Sequence, residues 1–446
     1  MQEANQMLMG NFRIGLISLV ICVFSLDSGV GQELRTTRLE NGLLQLESVH
    51  LRLITDMPIS EPIESLPRIF DQAMSQWRER FDVDIAQTRE VIVTAYLMVD
   101  RSRFIQLKLM PPQLESFRHG YQLDDCLYLT DQPSDYYRRH LLLHEGTHWF
   151  LWKFLKGNGP PWYSEGICEL LGTHLWENQQ LRLGVIPEHR DSFPYWGRLK
   201  LIRESIDNKT APSLNAILNF SDTAHRTDEP YAWSWAAMVF FSNHPQYQKM
   251  LRRLAQPPLD YSNRITVDLK RELNANWSIV DAEWRLFLSE LDYGYLPINS
   301  LVDLNAVPVE ALKKTEKRFV RSDRGWQSTG VAVERGQKIR MEATGKIVVR
   351  SKNQLGSSSE WSCEPQGITL EYREGNPLGS LMAMVVPIKS EFVDAPLVRL
   401  TGNSIGRGKH WIAPESGILL LKINEPSGQL ADNAGEFTVT MEPSAS

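Results

Sequence analysis

Apolar residues change their spacing along the chain, and the change predicts a helix-rich region followed by a β-rich one. Helical spacing is present between residues 65 and 81 and again in several segments between residues 193 and 291. Alternating apolar residues at 43–55 and 91–99 indicate strands of a small mixed sheet. From Gly325 onwards, short β-type runs are broken by glycine and proline, which is typical of an all-β sandwich.

These changes predict four parts in the chain. Arg13 precedes an apolar run and then a group of small residues, so residues 1–31 are predicted to be a secretory signal peptide. An uncleaved anchor is the alternative, although the apolar run is short for a membrane span. The predicted domains are 32–298 and 325–446, joined by a linker at 299–324 that contains proline and a charged run.

The composition of the chain indicates which partners and which cellular compartment are expected. The formal net charge is −6 and no basic cluster is present, so neither nucleic acid nor an anionic membrane surface is an expected partner. No membrane contact is expected beyond the signal segment, and the protein is predicted to be secreted, periplasmic or on the cell surface. Cys126, Cys168 and Cys363 remain after cleavage, and the first two could pair in an oxidising compartment.

An H-E-x-x-H motif at His144, Glu145 and His148 lies within an apolar, helix-forming run. Positions i and i+4 share one face of a helix, so the two imidazoles can bind one metal ion while the glutamate reaches a water on it. A catalytic zinc needs a third protein ligand. A third histidine shortly downstream is excluded, because Phe154 occupies the corresponding position of the longer motif.

A glutamate on the next helix can supply the third ligand. Residues 157–161 form a strong helix stop, and a short turn places two successive helices side by side. Glu165, on the second of these helices, is therefore expected close to the two histidines. His174 is an alternative ligand further along the chain, whereas His140 is better explained by packing or by contact with a substrate.

The motif together with the Trp-Tyr-Ser-Glu-Gly segment at 162–166 resembles the gluzincin metallopeptidases. The resemblance implies an α+β zincin-like catalytic domain, in which a small mixed sheet precedes a helical bundle. It implies Glu165 as the third zinc ligand and Glu169 as an acid bonded to the first histidine, although a plain surface glutamate remains the alternative. It also implies a donor to the tetrahedral oxygen, for which Tyr231 and His225 are candidates; core packing is the alternative for Tyr231.

Such a site hydrolyses an amide bond. Bound zinc lowers the pKa of its water towards neutrality, and Glu145 takes the proton and returns it to the leaving amine. The resemblance further implies that an extended substrate pairs with an edge strand, for which residues 121–130 are the candidate. The expected substrate is therefore a peptide or a glycoprotein.

The chain from Gly325 to Met441 resembles the bacterial calcium-dependent galactose-binding lectins, most clearly in the loop at 424–437. Loops rich in oxygen ligands suit a hard cation such as Ca²⁺. The side-chain ligands that the resemblance implies are Glu425, Asp432 and Asn433. Backbone carbonyls near Gln429 and Val349 would complete the shell, and a polar surface turn is the alternative for this loop.

The same resemblance implies a carbohydrate partner, with Gln366 as a sugar contact. Two residues depart from the lectin pattern. Glu425 replaces an aspartate, and Cys363 replaces a histidine close to Gln366.

The sequence leads to one main hypothesis and two alternatives. The main hypothesis is a secreted zinc peptidase with a C-terminal module that binds carbohydrate or a surface. The first alternative is a non-catalytic carbohydrate- or protein-binding protein on a degenerate peptidase scaffold. The second is a structural zinc site, which usually has four protein ligands and several thiolates. The intact Glu145 favours catalysis, because a structural site has no use for a general base.

Overall fold

The computed structural model describes residues 34–111, 114, 117–259, 262–352, 358–388, 397 and 400–444. The predicted signal peptide, residues 1–31, therefore lies outside the described residues. The chain from Leu34 onwards forms one compact unit. In the part of the chain that is described, no helix is both long enough and apolar enough to cross a membrane.

A six-stranded mixed sheet begins this unit. Its strands are β1 (Arg35–Arg38), β2 (Leu44–Glu47), β3 (Leu51–Thr55), β4 (Val93–Met98), β5 (Gly120–Leu123) and β6 (Cys126–Thr130). The spatial order is β1-β2-β3-β4-β6-β5, and β3, β4 and β6 are mutually parallel. The stretch 121–130, predicted as one strand, is an antiparallel hairpin because Asp124, with φ of 50°, reverses the chain. Strand β5 thus stands at the end of the sheet, and β6 is internal.

Three helices lie between the strands of this sheet along the chain, and the others follow it. The helices are α1 (Glu61–Phe81), α2 (Ile85–Thr88), α3 (Arg101–Gln106), α4 (Asp135–Leu155), α5 (Pro161–Gly172), α6 (Arg198–Asp207), α7 (Leu214–Leu218), α8 (Asp228–Asn243), α9 (Tyr247–Leu254), α10 (Arg264–Leu273), α11 (Trp277–Glu290) and α12 (Pro297–Ser300). Helices α1 and α4 pack on the sheet. A hairpin of β7 (His174–Glu177) and β8 (Gln180–Leu183) separates α5 from α6. Short 3₁₀ turns occupy Arg190–Ser192, Ala224–Arg226 and Asn274–Asn276.

Local sequence signals set the ends of helices α4 and α5. The Ser134 hydroxyl accepts a hydrogen bond from the Tyr137 amide at 3.1 Å, which caps the start of α4. The helix ends at Lys156, whose φ of 64° is left-handed. Pro161 then occupies the first turn of α5, where a missing amide proton costs little. The short loop between them brings the two helices together.

Close packing of α1 against α4 explains the glycine within the histidine motif. A Cβ on Gly146 would lie 2.8 Å from both the Phe70 and the Trp77 rings. Both rings are fully buried, and they meet edge to face at 5.3 Å between centroids. Burial of one such side chain stabilises a fold by about 1.5–3 kcal/mol, so a larger residue at position 146 would displace a substantial part of the core.

The C-terminal region is all β, as predicted. Its strands are β9 (Glu310–Ala311), β10 (Glu316–Arg321), β11 (Gln327–Val333), β12 (Lys338–Lys352), β13 (Ser358–Cys363), β14 (Ile368–Arg373), β15 (Asn376–Leu378), β16 (Leu381–Val386), β17 (Asn403–Ser404), β18 (Gly408–Ile412), β19 (Gly417–Ile423) and β20 (Ala434–Pro443). One sheet has the order β10-β20-β12-β13, with β18 also on β12, and the other has the order β17-β16-β19-β11-β9. Strands β14 and β15 form a separate hairpin.

The stretch 299–324, predicted as a linker, contributes two strands to these sheets. Strand β10 pairs with β20 along all six of its residues, and β9 pairs in parallel with β11. A small apolar cluster also joins α11 to the second sheet, and it contains Leu286, Trp326 and Leu420. The helical and β-rich regions therefore share a buried contact.

The three cysteines of the described chain are free thiols. Cys168 is fully buried within α5, whereas Cys126 is half-buried at the start of β6. The disulfide considered between Cys126 and Cys168 is therefore not formed.

Candidate functional site

Helices α4 and α5 bring together the three side chains expected to bind a metal. Glu165 Oε2 lies 3.3 Å from His144 Nε2 and 3.5 Å from His148 Nε2. One ligand atom from each residue falls within 4.8 Å of the other two. Ligands about 2.0–2.2 Å from a tetrahedral zinc lie about 3.3–3.6 Å from one another. The two distances from Glu165 to the histidines therefore fit one zinc ion.

The electrostatics of this cluster favour a cation. Glu165 Oε2 is buried and accepts no hydrogen bond. Burial opposes ionisation of Glu165, but His148 and His144 hold its pKa well below the usual value. Burial also opposes a charge on His144, yet its close contacts with the Glu165 and Glu169 carboxylates raise its pKa to about 10. A site that retains a proton so strongly has an excess of negative charge, which a metal ion can neutralise instead.

Glu169 lies behind the first histidine, and an arginine holds it there. Its Oε1 is 3.3 Å from His144 Nδ1, the ring nitrogen that faces away from the metal position. Arg198, at the start of α6, donates from Nε to Oε2 at 2.8 Å and from Nη2 to Oε1 at 2.9 Å. A carboxylate in this position fixes the tautomer and orientation of a ligating imidazole. Sequence reasoning missed Arg198, because no local pattern connects it with Glu169.

Glu145 points to the edge strand of the sheet. Its side chain is buried, with 7% exposed, and burial raises its pKa against the opposing effect of His144 and His148. A Cβ on Gly120, the first residue of β5, would lie 2.5 Å from Glu145 Oε1. Glycine at this position thus lets the backbone of β5 approach the carboxylate closely.

Tyr231 and His225 both lie near the proposed ligands. The Tyr231 ring is 6.1 Å from that of His144 and 4.9 Å from that of His225, between centroids. His225 Nε2 is 2.9 Å from the Ser234 hydroxyl. Burial raises the pKa of Tyr231 above its usual value, so the phenol keeps its proton and can donate a hydrogen bond.

The two other histidines considered from the sequence, His174 and His140, have different surroundings. His174 has both ring nitrogens occupied, by the Gly172 carbonyl at 2.8 Å and by Arg139 Nε at 3.1 Å, so it is not a substitute ligand. His140 Nε2 lies 3.6 Å from Glu169 Oε1, and His140, His144 and Glu169 form a second group with metal-ligand spacing. The Glu169 carboxylate is already occupied by the guanidinium described above, which makes the first group the better metal site.

The loop between β19 and β20 holds a second cluster of oxygen atoms. Glu425 is fully buried, and its Oε1 has no hydrogen-bond donor. Asp432 Oδ1 and Asn433 Oδ1 also have no hydrogen-bond donor. Asn433 Nδ2 donates to Glu425 Oε2 and, at 3.1 Å, to the Ser322 carbonyl. Burial raises the pKa of Glu425 to about 8. Buried acceptors without donors are costly unless an ion or water satisfies them.

Gln366 lies on an exposed turn next to this region. Its Oε1 accepts a hydrogen bond from Arg407 Nε at 2.8 Å, which fixes the amide at the surface. Cys363, where the lectins have a histidine, is 1% exposed and packs in the sandwich core. Its thiol faces Gly379, where a Cβ would lie 2.7 Å from Sγ. Cys363 is thus a packing residue and cannot replace a histidine that contacts sugar.

No protein-family model matches this chain, and no curated protein matches it either. Among solved structures, the chain is similar to one described as the EclA N-terminal domain, a PllA-like lectin. The sequences are 28% identical over 29% of this chain and 96% of that chain, and the TM-score is 0.20. This likeness to a lectin is weak, and neither cluster described above depends on it.

Proposed function

We propose that this protein is a secreted zinc peptidase that hydrolyses peptide bonds with Glu145 as the general base. The observation that carries the proposal is the meeting of His144, His148 and Glu165 around one position, where a buried carboxylate oxygen has no hydrogen-bond donor. Zinc bound there would supply a Lewis acid and an acidic water molecule. Three protein ligands leave the fourth position open, as catalysis requires.

The surrounding residues have distinct roles in this reaction. The Glu145 carboxylate accepts a proton from the water that attacks the peptide carbonyl carbon, and it then delivers that proton to the leaving nitrogen. The Tyr231 hydroxyl donates a hydrogen bond to the oxygen on which negative charge develops, and His225 is a second donor. Glu169 and Arg198 hold the His144 ring in place throughout.

The position of β5 supports a peptide as the substrate. An extended chain can add to the end of the sheet through backbone hydrogen bonds, which give affinity with little sequence preference. Because Gly120 brings β5 close to Glu145, a paired peptide would present its carbonyl groups near the base. The first half of the predicted strand at 121–130 can therefore bind substrate, whereas β6 is already paired on both sides.

Zinc content and turnover should depend on Glu165. The purified protein should contain one zinc ion per chain and cleave an unfolded protein or a mixed peptide library. Glu165→Gln should lower zinc affinity by more than the roughly 10–100-fold that loss of an outer hydrogen-bond partner costs, and turnover should fall with it. Glu177→Gln, on an exposed residue of β7, is the matched control. Full zinc occupancy and activity in Glu165→Gln would exclude the proposed ligand set.

We propose in addition that the C-terminal sandwich binds Ca²⁺ through Glu425, Asp432 and Asn433, next to a carbohydrate site at Gln366. The three oxygen atoms without donors favour the cation. The carbohydrate follows from the resemblance to lectins in the sequence. If the peptidase proposal fails, this module supports the alternative of a non-catalytic binding protein.

Calcium should stabilise the protein, and Glu425 should be required for the effect. At ten times the dissociation constant, binding to the native state alone adds about 1.4 kcal/mol to the free energy of unfolding. We expect Ca²⁺ to raise the melting temperature of the wild type and of Glu436→Gln, an exposed control, and to leave Glu425→Gln unchanged. An equal calcium response in Glu425→Gln would contradict the assignment. A glycan array with and without Ca²⁺ tests the carbohydrate site, and no retained glycan under either condition would remove it.

A further inference from the structure

The loop that carries Glu425 and Asn433 also contacts the end of helix α11. The Ser427 hydroxyl lies 3.1 Å from the Glu290 carbonyl and 3.0 Å from Glu290 Oε2. Beside it, a Cβ on Gly428 would lie 2.6 Å from the Gly294 carbonyl oxygen, so the two backbones are in direct contact. Part of this loop is therefore a joint between the sandwich and the helices.

A buried ion pair reinforces the joint. Lys422, on β19, donates to Glu290 Oε2 at 2.7 Å, and the Trp326 ring nitrogen donates to Glu290 Oε1 at 3.0 Å. The Lys422 and Glu290 side chains are only 7% and 13% exposed. A carboxylate in the last turn of a helix is disfavoured by the helix dipole, and burial also opposes its charge, so Glu290 depends on partners from the sandwich.

The same loop also carries the candidate cation ligands Glu425 and Asn433, which contact one another. Glu425 and Ser427 are separated by Pro426, whose ring restricts the backbone. The Gln429 amide donates to the Pro426 carbonyl at 2.9 Å, and the resulting tight turn contains both joint residues. Because the turn is tight, a displacement of Glu425 would also move Ser427.

We propose that a divalent cation at Glu425, Asp432 and Asn433 locks the sandwich onto the end of helix α11. This role rests on the cation site proposed above and is independent of sugar binding. The cation draws the three oxygen atoms together and fixes the turn at 426–429, and the turn then holds Ser427 and Gly428 against Glu290 and Gly294. Cation binding and docking of the two regions are thus thermodynamically coupled, and each strengthens the other by the same factor.

A substitution at Gly428 tests the coupling without altering any of the three proposed cation ligands. Gly428→Ala places a methyl group against Gly294, and Gly428 has no positive φ that would strain an alanine. Calcium titration of the full-length, zinc-loaded protein by calorimetry should show affinity at least about fivefold weaker in Gly428→Ala than in the wild type. Gly197→Ala is the control, because no atom lies within 4 Å of the added methyl position. If Gly428→Ala does not fold, Ser427→Ala is the milder variant of the same contact.

Hydrogen exchange shows which residues become more stable when the cation binds. Calcium should slow amide exchange in residues 286–300, from the last turn of α11 to the end of α12, as well as in the loop 425–433. Unchanged calcium affinity in Gly428→Ala, or slower exchange confined to the loop, would overturn the coupling and leave the cation site standing. No calcium binding by the wild type at millimolar concentrations would overturn both the site and the coupling.

Discussion

Glu145→Gln should lower peptide turnover by about 10²–10⁴-fold, which is the usual contribution of a positioned general base. Glutamine has nearly the same size as glutamate but cannot accept the proton of the attacking water. The proposed ligands His144, His148 and Glu165 are unchanged, so the zinc content should stay at one ion per chain. The measurement is the kcat for a fluorogenic peptide, with metal analysis of the same sample.

Two further variants make this result specific. Glu64→Gln changes an exposed glutamate on α1 and should retain full activity. Gly120→Ala keeps the base but places a methyl group within 2.5 Å of its carboxylate oxygen, so turnover should fall while zinc remains bound. Turnover in Glu145→Gln equal to that of the wild type would remove Glu145 as the base, and the peptidase mechanism would fail with it.

Sequence reasoning worked best for features fixed by short stretches of chain. His144 and His148 share a helical face because they are four positions apart. The position of Glu165 follows from the short loop between α4 and α5. The loop starts at Lys156, whose backbone is left-handed, and leads to a proline in the first turn of α5, so few loop conformations can join the two helices. Both relations depend on local backbone geometry, within one helix or across one short loop.

Features built from distant contacts were not predictable. Arg198 reaches Glu169 from a different helix, and nothing in the sequence marks it among the many arginines of the chain. Gly120 matters only because β5 pairs with β6 and begins beside α4. The hairpin itself could have been predicted, since adjacent aspartates at 124 and 125 favour a turn.

The first long strand of the sandwich was likewise not predictable from the sequence. The segment Glu316–Arg321 reads as a charged connector, yet it pairs along its full length with the last strand. Its exposed side chains explain the difficulty, because Phe319 is 59% exposed while Val320 is buried. An edge strand with charged residues on its outer face resembles a linker until its partner, more than a hundred residues away, is known.

Arg198→Met should destabilise the protein by about 3–5 kcal/mol, because it leaves the buried Glu169 carboxylate without its main partner. Arg198 and Glu169 are 8% and 2% exposed, and the pair has two direct hydrogen bonds. Burial alone would raise the pKa of Glu169, whereas Arg198 and His140 hold it well below the usual value. Zinc affinity should also fall by roughly 10–100-fold, since the carboxylate behind His144 loses its support. Denaturant unfolding and competition with a chelator measure the two effects.

The neighbouring arginine on the same helix provides the control. Arg203 pairs with Asp292 at the surface, and its side chain is 43% exposed, so Arg203→Met should change stability by about 1 kcal/mol or less. Adding Glu169→Gln to Arg198→Met removes the unpaired charge and should restore part of the lost stability, although zinc affinity should stay low. If Arg198→Met is no more destabilising than Arg203→Met, the buried pair does not support the site. If the double variant regains full zinc affinity, Glu169 does not orient His144.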